Sequence, residues 1–423
     1  MLNARKEEAF CTILREELQL ATGCTEPIAV AYCAARLRQV LGERPQRILA
    51  EVSGNILKNV KSVVVPNTGG RRGLPAAIAV GVVAGDPEAR LQVIAHVTEE
   101  DTAAIQAYLD STDIRIDCPP TPRMLDIRLT GWAGDHKAVV HVANNHTNII
   151  YVERDGEVLL EKPHSDSAED NLQDKSVLNV RDILTFAETV DVSRIEESVG
   201  RQIDCNTAIA REGLQGDWGA NIGSTLLLSG GDVETEARAW AAAGSDARMN
   251  GCEMPVVICS GSGNQGITAS VPVVVYAQEL GVSRETLYRA LAVSNLSTIH
   301  IKAHIGTLSA YCGAVSAGCG AGAGITYLYG GGYEQIKHTL VNAMAITSGI
   351  ICDGAKPSCA AKIATSVDAG LLGYHMYRCG NQFYAGDGIV KSGIEHTIET
   401  VGALAHTGMA DTDRQIIRLM MEP

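Results

Sequence analysis

From Ala303 to Tyr333 no residue carries a formal charge, with His304 taken as neutral, yet the run is crowded with Gly, Ser, Thr, Cys and Tyr. A bilayer-spanning helix needs roughly 20 predominantly apolar residues, and this stretch is too polar and too rich in glycine for that. It predicts a helix of small residues buried in a globular protein. The same reading covers Met254 to Gln278, which Pro255, Pro272 and several glycines interrupt. Only 4% of the 423 residues are aromatic, while 43 are glycine and 46% are hydrophobic. A core of such small side chains favours closely packed helices over a large sandwich, and the length allows two domains.

Formal net charge is −14, which repels phosphates, so no nucleic-acid partner is expected. The opening Met-Leu-Asn-Ala-Arg-Lys-Glu-Glu lacks an apolar h-region, so no signal peptide is expected. Twelve cysteines are too sparse for a disulfide scaffold at this length. The expectation is a cytoplasmic protein, away from membranes, whose cysteines are reduced thiols or metal ligands, with a homodimer as default assembly.

Helical spacing of Phe10, Ile13, Leu14 and Leu18 predicts a first helix, and Thr25 can cap a second that tolerates Pro27 in its first turn. Residues 46–162 turn β-rich, with strands expected at Arg47–Ser53, Ser62–Pro66, Leu91–Val97, Ile114–Asp117, Leu125–Leu129, Lys137–Val142 and Thr147–Val152. Polar residues 164–175 read as a linker, and helical periodicity returns from Val180 onward, including Asn381–Leu404. The fold class is therefore α+β. Residues 1–45 are N-terminal helices packing on the catalytic domain, 46–175 an α+β domain, and 176–423 a helical catalytic domain.

Cys352-Asp-Gly-Ala-Lys-Pro-Ser-Cys359 is a C-x6-C pair around a turn, and Cys312 lies forty positions before Cys352. Three thiolates brought together by folding can hold a cubane iron–sulfur cluster and leave its fourth iron open as a Lewis acid. The spacing lacks the tight C-x2-C runs of ferredoxins and of most structural zinc sites, and small buried cysteines are the alternative. Cys24 stands at a helix start, where the dipole favours a thiolate, or simply fills space there. Cys319 is a rival ligand if Cys312 and Cys319 share a helix face, or a core residue. The role of Cys205 is open.

Gly261-Ser-Gly-Asn-Gln-Gly266 matches G-x-G-x-x-G after strand-like Val256–Cys259, which invites a dinucleotide reading. Pro272 is expected to break a long crossover helix, and no parallel βαβ series surrounds it. A loop presenting N–H groups, Ser262, Asn264 and Gln265 to a small carboxylate fits better. Lys58, Thr68 and His146 sit beside polar turns, and Lys302 precedes the uncharged run; each is a solvated surface group or a substrate contact.

Taken together the motifs are specific. Thr22-Gly-Cys-Thr-Glu-Pro27, Ser53-Gly-Asn-Ile-Leu-Lys-Asn59, Val65-Pro-Asn-Thr-Gly69, His146-Thr-Asn-Ile149, Asp204-Cys-Asn-Thr-Ala-Ile-Ala210, Gly261–Gly266 and the three cysteines span nearly the whole chain. The chain resembles the L-cysteine desulfidase family, relatives of the α-chain of iron–sulfur L-serine dehydratases. The resemblance implies a [4Fe-4S] cluster on Cys312, Cys352 and Cys359, with Cys24 as general base or neighbour of the open iron. It implies an amino-acid substrate, with Thr25, Asn55, Lys58, Asn67, Thr68, His146, Ser262, Asn264 and Gln265 in the shared motifs, and Lys302 beside them, as candidate contacts. The expected activity is pyridoxal-phosphate-independent elimination of sulfide from L-cysteine, giving pyruvate and ammonia. The serine dehydratases carry a Ser-Ser-Ser-His-Thr type loop where this chain has Gly-Cys-Thr-Glu-Pro, and some place a terminal cysteine where it reads Met-Met-Glu-Pro423. Both departures favour the desulfidase over L-serine dehydratase. A non-catalytic iron–sulfur sensor or electron carrier, expected to have a fourth thiolate, and a nicotinamide oxidoreductase are the readings from other classes.

Overall fold

The computed structural model describes residues 2–162, 173–306 and 308–422; residues 164–172 of the expected linker lie outside them. Two buried clusters organise the chain. The first is helical and runs from residue 180 to the C-terminal helices, joined by the N-terminal helix Ala4–Glu17 through Phe10, Ile13 and Leu14. The second surrounds a six-stranded sheet ordered Asp113–Asp117, Arg47–Val52, Asp126–Ala133, His136–Ala143, Ile149–Arg154, Glu157–Glu161. Its first pair is parallel and the other pairs are antiparallel. The α+β class holds.

Helix Thr25–Leu41 packs in the sheet cluster, not with its N-terminal neighbour. Its residues Ile28 to Ala35 are all buried, because the sheet covers one side and helix Gly73–Ala84 the other. Two strand expectations fall short. Ser62–Pro66 forms only a single bridge, Val64 to Arg72, and Leu91–Val97 is a 3₁₀ turn followed by turns. The strand before the glycine-rich loop, Pro255–Val257, pairs antiparallel with Leu20–Thr22 in a two-stranded sheet, which removes the parallel crossover a dinucleotide fold needs. Helix Gly263–Glu279 runs straight through Pro272, contrary to the expected break. Asn381–Leu404 is helical only from Ile394, and Ala410–Met421 adds a helix.

Small residues set the helical packing. The uncharged run is broken between Ile305 and Gly313, then forms helix Gly313–Leu328. A Cβ on Gly318 would lie 2.2 Å from the Ser366 carbonyl oxygen, and one on Gly322 would lie 2.8 Å from the Gly370 Cα. Both contacts are with helix Cys359–Arg378, and residue numbers rise together along them, so the two helices are parallel. Helix Tyr333–Thr347 returns the chain between them. No helix among the described residues is long and apolar enough to cross a membrane.

This backbone-to-backbone contact makes a prediction against intrinsic propensity. Alanine is favoured over glycine in a helix interior by about 1 kcal/mol, but no rotamer relieves a clash with a carbonyl, and overpacking costs about 1–3 kcal/mol. Gly318→Ala should therefore be net destabilising in urea unfolding; equal or greater stability would refute the close crossing.

Candidate functional site

Four helices begin at one cavity of about 110 Å³. Cys24 precedes Thr25–Leu41, Ser262 precedes Gly263–Glu279, Gly313 opens Gly313–Leu328 and Cys359 opens Cys359–Arg378, and all four residues line the space. Helix N-termini present unpaired N–H groups and positive dipole ends, so the cavity suits anions. A single buried water needs about 10–15 Å³, so the space takes a molecule of several heavy atoms and excludes a dinucleotide. A larger cavity of about 540 Å³ adjoins it and shares His146, Ser260, Gly261 and Lys302.

Local pairing brings the cysteines in. Tyr311 and Ile351 form an isolated antiparallel bridge; the Cys312 N–H donates to the Ile350 carbonyl at 3.0 Å and the Cys352 N–H to the Ala310 carbonyl at 2.6 Å. Cys352 and Cys359 line the cavity, and the Cys359 thiol donates to the Gly354 carbonyl at 3.6 Å. Burial pushes the Cys312 thiol up to about 12, and the charges of Cys352 and Cys359 act on it in the same direction. Among the described residues no group of three or more His, Cys, Asp or Glu side chains could hold a metal ion. The donor set itself, three thiols on adjoining segments, is of the kind that holds an iron–sulfur cluster. Cys319 is buried in the helical core away from the cavity, and Cys205 packs against that core, partly buried.

Cys24 is buried and caps its helix without a side-chain hydrogen bond. Burial pushes its thiol up to about 12, opposed by Arg248; desolvation outweighs the helix start that was expected to lower it. His146 is buried, its Nε2 has no hydrogen-bond partner, and burial lowers its pKa. Lys302 lies in the last turn of helix Arg284–Ile305, not at a solvated start; burial lowers its pKa to about 8, while Cys352 and Cys312 oppose the shift. Its ammonium donates to the Gly306 carbonyl. Ser262, Asn264 and Gln265 all line the cavity, and Gln265 Oε1 is buried without a partner.

Five expected substrate contacts lie outside the cavity lining and act on its walls. Thr25 is buried and its hydroxyl donates to the Gly261 carbonyl at 2.9 Å, tying the glycine-rich loop to the Cys24 helix. Asn67 donates to the Ile94 carbonyl at 2.7 Å, and the Thr68 hydroxyl donates to Val65 at 2.6 Å. They fix the turn carrying Pro66, whose ring would sit 2.4 Å from a Cβ on Gly23, the residue before Cys24. Asn55 and Lys58 lie on helix Gly54–Val60, not in a loop, and both bond Asp413 of the last long helix, at 2.9 and 2.5 Å. Their helix abuts the cysteine loop: a Cβ on Gly354 would meet the Lys58 carbonyl oxygen at 2.3 Å.

Sequence reasoning missed Arg248, Asn59, Tyr311 and Glu26; all four line the cavity. Arg248 is 3% exposed and donates to the Gly23 carbonyl at 2.9 Å and to Asn264 Oδ1 at 3.0 Å. The signal was a lone arginine after an alanine run, Ala241-Ala-Ala-Gly-Ser-Asp-Ala-Arg248.

The sequence profile described as serine dehydratase alpha chain matches residues 88–418. A UPF0597 protein of Desulfitobacterium hafniense is 52% identical over 99% of this chain and 97% of its own length. Others from Treponema denticola and Aeromonas salmonicida are 47% and 40% identical, covering 100% and 97% of this chain and 99% and 95% of theirs.

The Lys58–Asp413 pair is nearly sealed, with side-chain exposures of 1% and 8%. Removing one partner of a buried ion pair costs about 3–5 kcal/mol, whereas an apolar pair of similar volume is often neutral. Asp413→Leu should lose stability on that scale in anaerobic denaturant unfolding, and Lys58→Met with Asp413→Leu should recover most of it. Equal losses in the single and double variants would show that the pair does not carry the contact.

Proposed function

The chain belongs to the serine dehydratase alpha chain family, and on that premise we propose that it is a pyridoxal-phosphate-independent lyase that eliminates sulfide from L-cysteine. The observation that supports this reading is one amino-acid-sized cavity lined by Cys352, Cys359, Cys24, His146 and Arg248, with Cys312 just outside the lining, between Tyr311 and Gly313, which belong to it. Cys312, Cys352 and Cys359 are the residues to hold a [4Fe-4S] cluster, which when bound supplies a Lewis-acidic iron for the leaving heteroatom.

The protein's own residues handle the substrate's ends and its proton. Ser262, Asn264, Gln265 and the N-terminus of helix Gly263–Glu279 face a carboxylate. The Cα proton goes to Cys24, which acts only once ionised; its thiol lies well above neutral pH, and the Arg248 charge beside it favours the thiolate. His146, with a buried, unpartnered Nε2, lines the same cavity and is placed to hydrogen-bond the substrate. Loss of the Cα proton and cleavage of the Cβ–S bond leave aminoacrylate and sulfide. Aminoacrylate tautomerises to the imine and hydrolyses to pyruvate and ammonia. The family description favours L-serine as a second substrate, with hydroxide leaving in place of sulfide and the same residues in the same roles.

Anaerobically reconstituted protein should contain iron and acid-labile sulfide and release pyruvate from L-cysteine with stoichiometric sulfide, faster than from L-serine. Cys352→Ser should lose both the cluster and the activity, while Cys24→Ser should keep the cluster and lose turnover. Activity retained by Cys352→Ser would falsify the cluster assignment, and faster turnover of serine would reassign the substrate.

A further inference from the structure

Two opposite charges line the small cavity, and each is held by neutral partners. The Arg248 guanidinium rests on the Gly23 carbonyl and Asn264 Oδ1, and its Nε is buried without a partner. That nitrogen approaches so closely that a Cβ on Gly263 would meet it at 2.3 Å. The Glu26 carboxylate accepts from Asn59 Nδ2 at 3.2 Å. Among the described residues neither Arg248 nor Glu26 forms an ion pair, with each other or with a third group. Both charges nevertheless act on the same two side chains, the Cys24 thiol and the His146 imidazole. Buried charges are ordinarily paired, because an uncompensated one is costly. Arg248 is 3% exposed, so the absence of a counter-charge on it calls for an explanation.

We propose that Arg248 and Glu26 are the two poles of a reader for a free α-amino acid zwitterion, Arg248 taking the carboxylate and Glu26 the ammonium. The planar guanidinium suits a carboxylate, and the carboxylate of Glu26 accepts from an ammonium. Each pole is pre-positioned by its neutral partners, and the zwitterion supplies both missing counter-charges at once. The cavity therefore selects against ligands lacking either charge: 2-hydroxy acids, amino-acid amides and N-acylated amino acids. This assignment rests on reading the cavity as an amino-acid site.

L-alanine tests it without turnover, since it keeps both charges and has no leaving group. Binding of L-alanine, L-lactate and L-alaninamide is measured by calorimetry on anaerobic holoprotein. The parent protein should bind L-alanine tightest. Glu26→Gln should weaken L-alanine roughly tenfold or more, the worth of a charge-assisted hydrogen bond, and leave L-lactate unchanged. Arg248→Gln should weaken L-alanine and L-lactate alike and leave L-alaninamide unchanged. Glu26→Asp and Arg248→Lys, which keep the charges, provide folded controls expected to fall between. Equal affinity for alanine and lactate in the parent protein, or equal losses of both in Glu26→Gln, overturns the proposal. Selective alanine binding by a protein that converts neither cysteine nor serine supports the zwitterion pair and sinks the lyase assignment instead.

Discussion

The parallel crossing of Gly313–Leu328 and Cys359–Arg378 is the constraint on which the site depends. A helix of 16 residues is about 24 Å long. An antiparallel pairing would put Cys312 and Cys359 at opposite ends; the parallel one puts Cys359 at the cavity and Cys312 between Tyr311 and Gly313, which line it. Parallel neighbours cannot be joined by a short turn, so Tyr333–Thr347 carries the chain back. The cost of close approach is that Gly318, Gly322 and Gly370 admit no side chain. The low aromatic and high glycine content is the sequence-level trace of this packing.

Burial and helix dipoles pull the thiols in opposite directions, and magnitudes decide between them. A helix terminus contributes about 0.3–1 kcal/mol, up to about 2 in a partly buried setting, which is roughly one pKa unit. Full burial moves a pKa by as much as 3–5 units. Cys24 and Cys312 accordingly stand near 12, although each sits at a helix start. Such thiols resist ionisation on their own. Coordination to a metal deprotonates a thiol outright, so the buried Cys312 thiol at its helix start suits a metal ligand better than a free nucleophile.

What could be read in the sequence was what depends on local pattern. The α+β class, the first helix and most strands follow from periodicity, and the place of the glycine-rich loop at a cavity follows from its motif. Failures came where tertiary contact overrides local signal. Ser62–Pro66 and Leu91–Val97 have β-type composition, but among the described residues no neighbouring strand pairs with them. Pro272 is tolerated because its helix is buried on nearly all sides. Lys58 looks like a surface lysine until Asp413, far along the chain, is seen to neutralise it. Motif residues such as Thr25, Asn67 and Thr68 support the cavity wall, and sequence cannot separate that from touching a ligand. Arg248 was missed because a lone arginine after an alanine run is as compatible with an exposed side chain as with a buried one.

Cys319 shows why position along a helix matters more than helix face. It follows Cys312 by seven residues, two turns, and helical spacing puts both on one side, as a pair of ligands would require. Seven residues also carry it about 10 Å along the axis, away from the N-terminus where Cys352 and Cys359 arrive. There it is buried among the helical core residues, and burial pushes its thiol up to about 12 with no neighbouring cysteine acting on it. Cys312, by contrast, is the residue immediately before its helix, its N–H donating to the Ile350 carbonyl beside the Tyr311–Ile351 bridge. Where the helix starts decides which of the two sulfurs stands at its N-terminal end, beside the pairing of Tyr311 with Ile351.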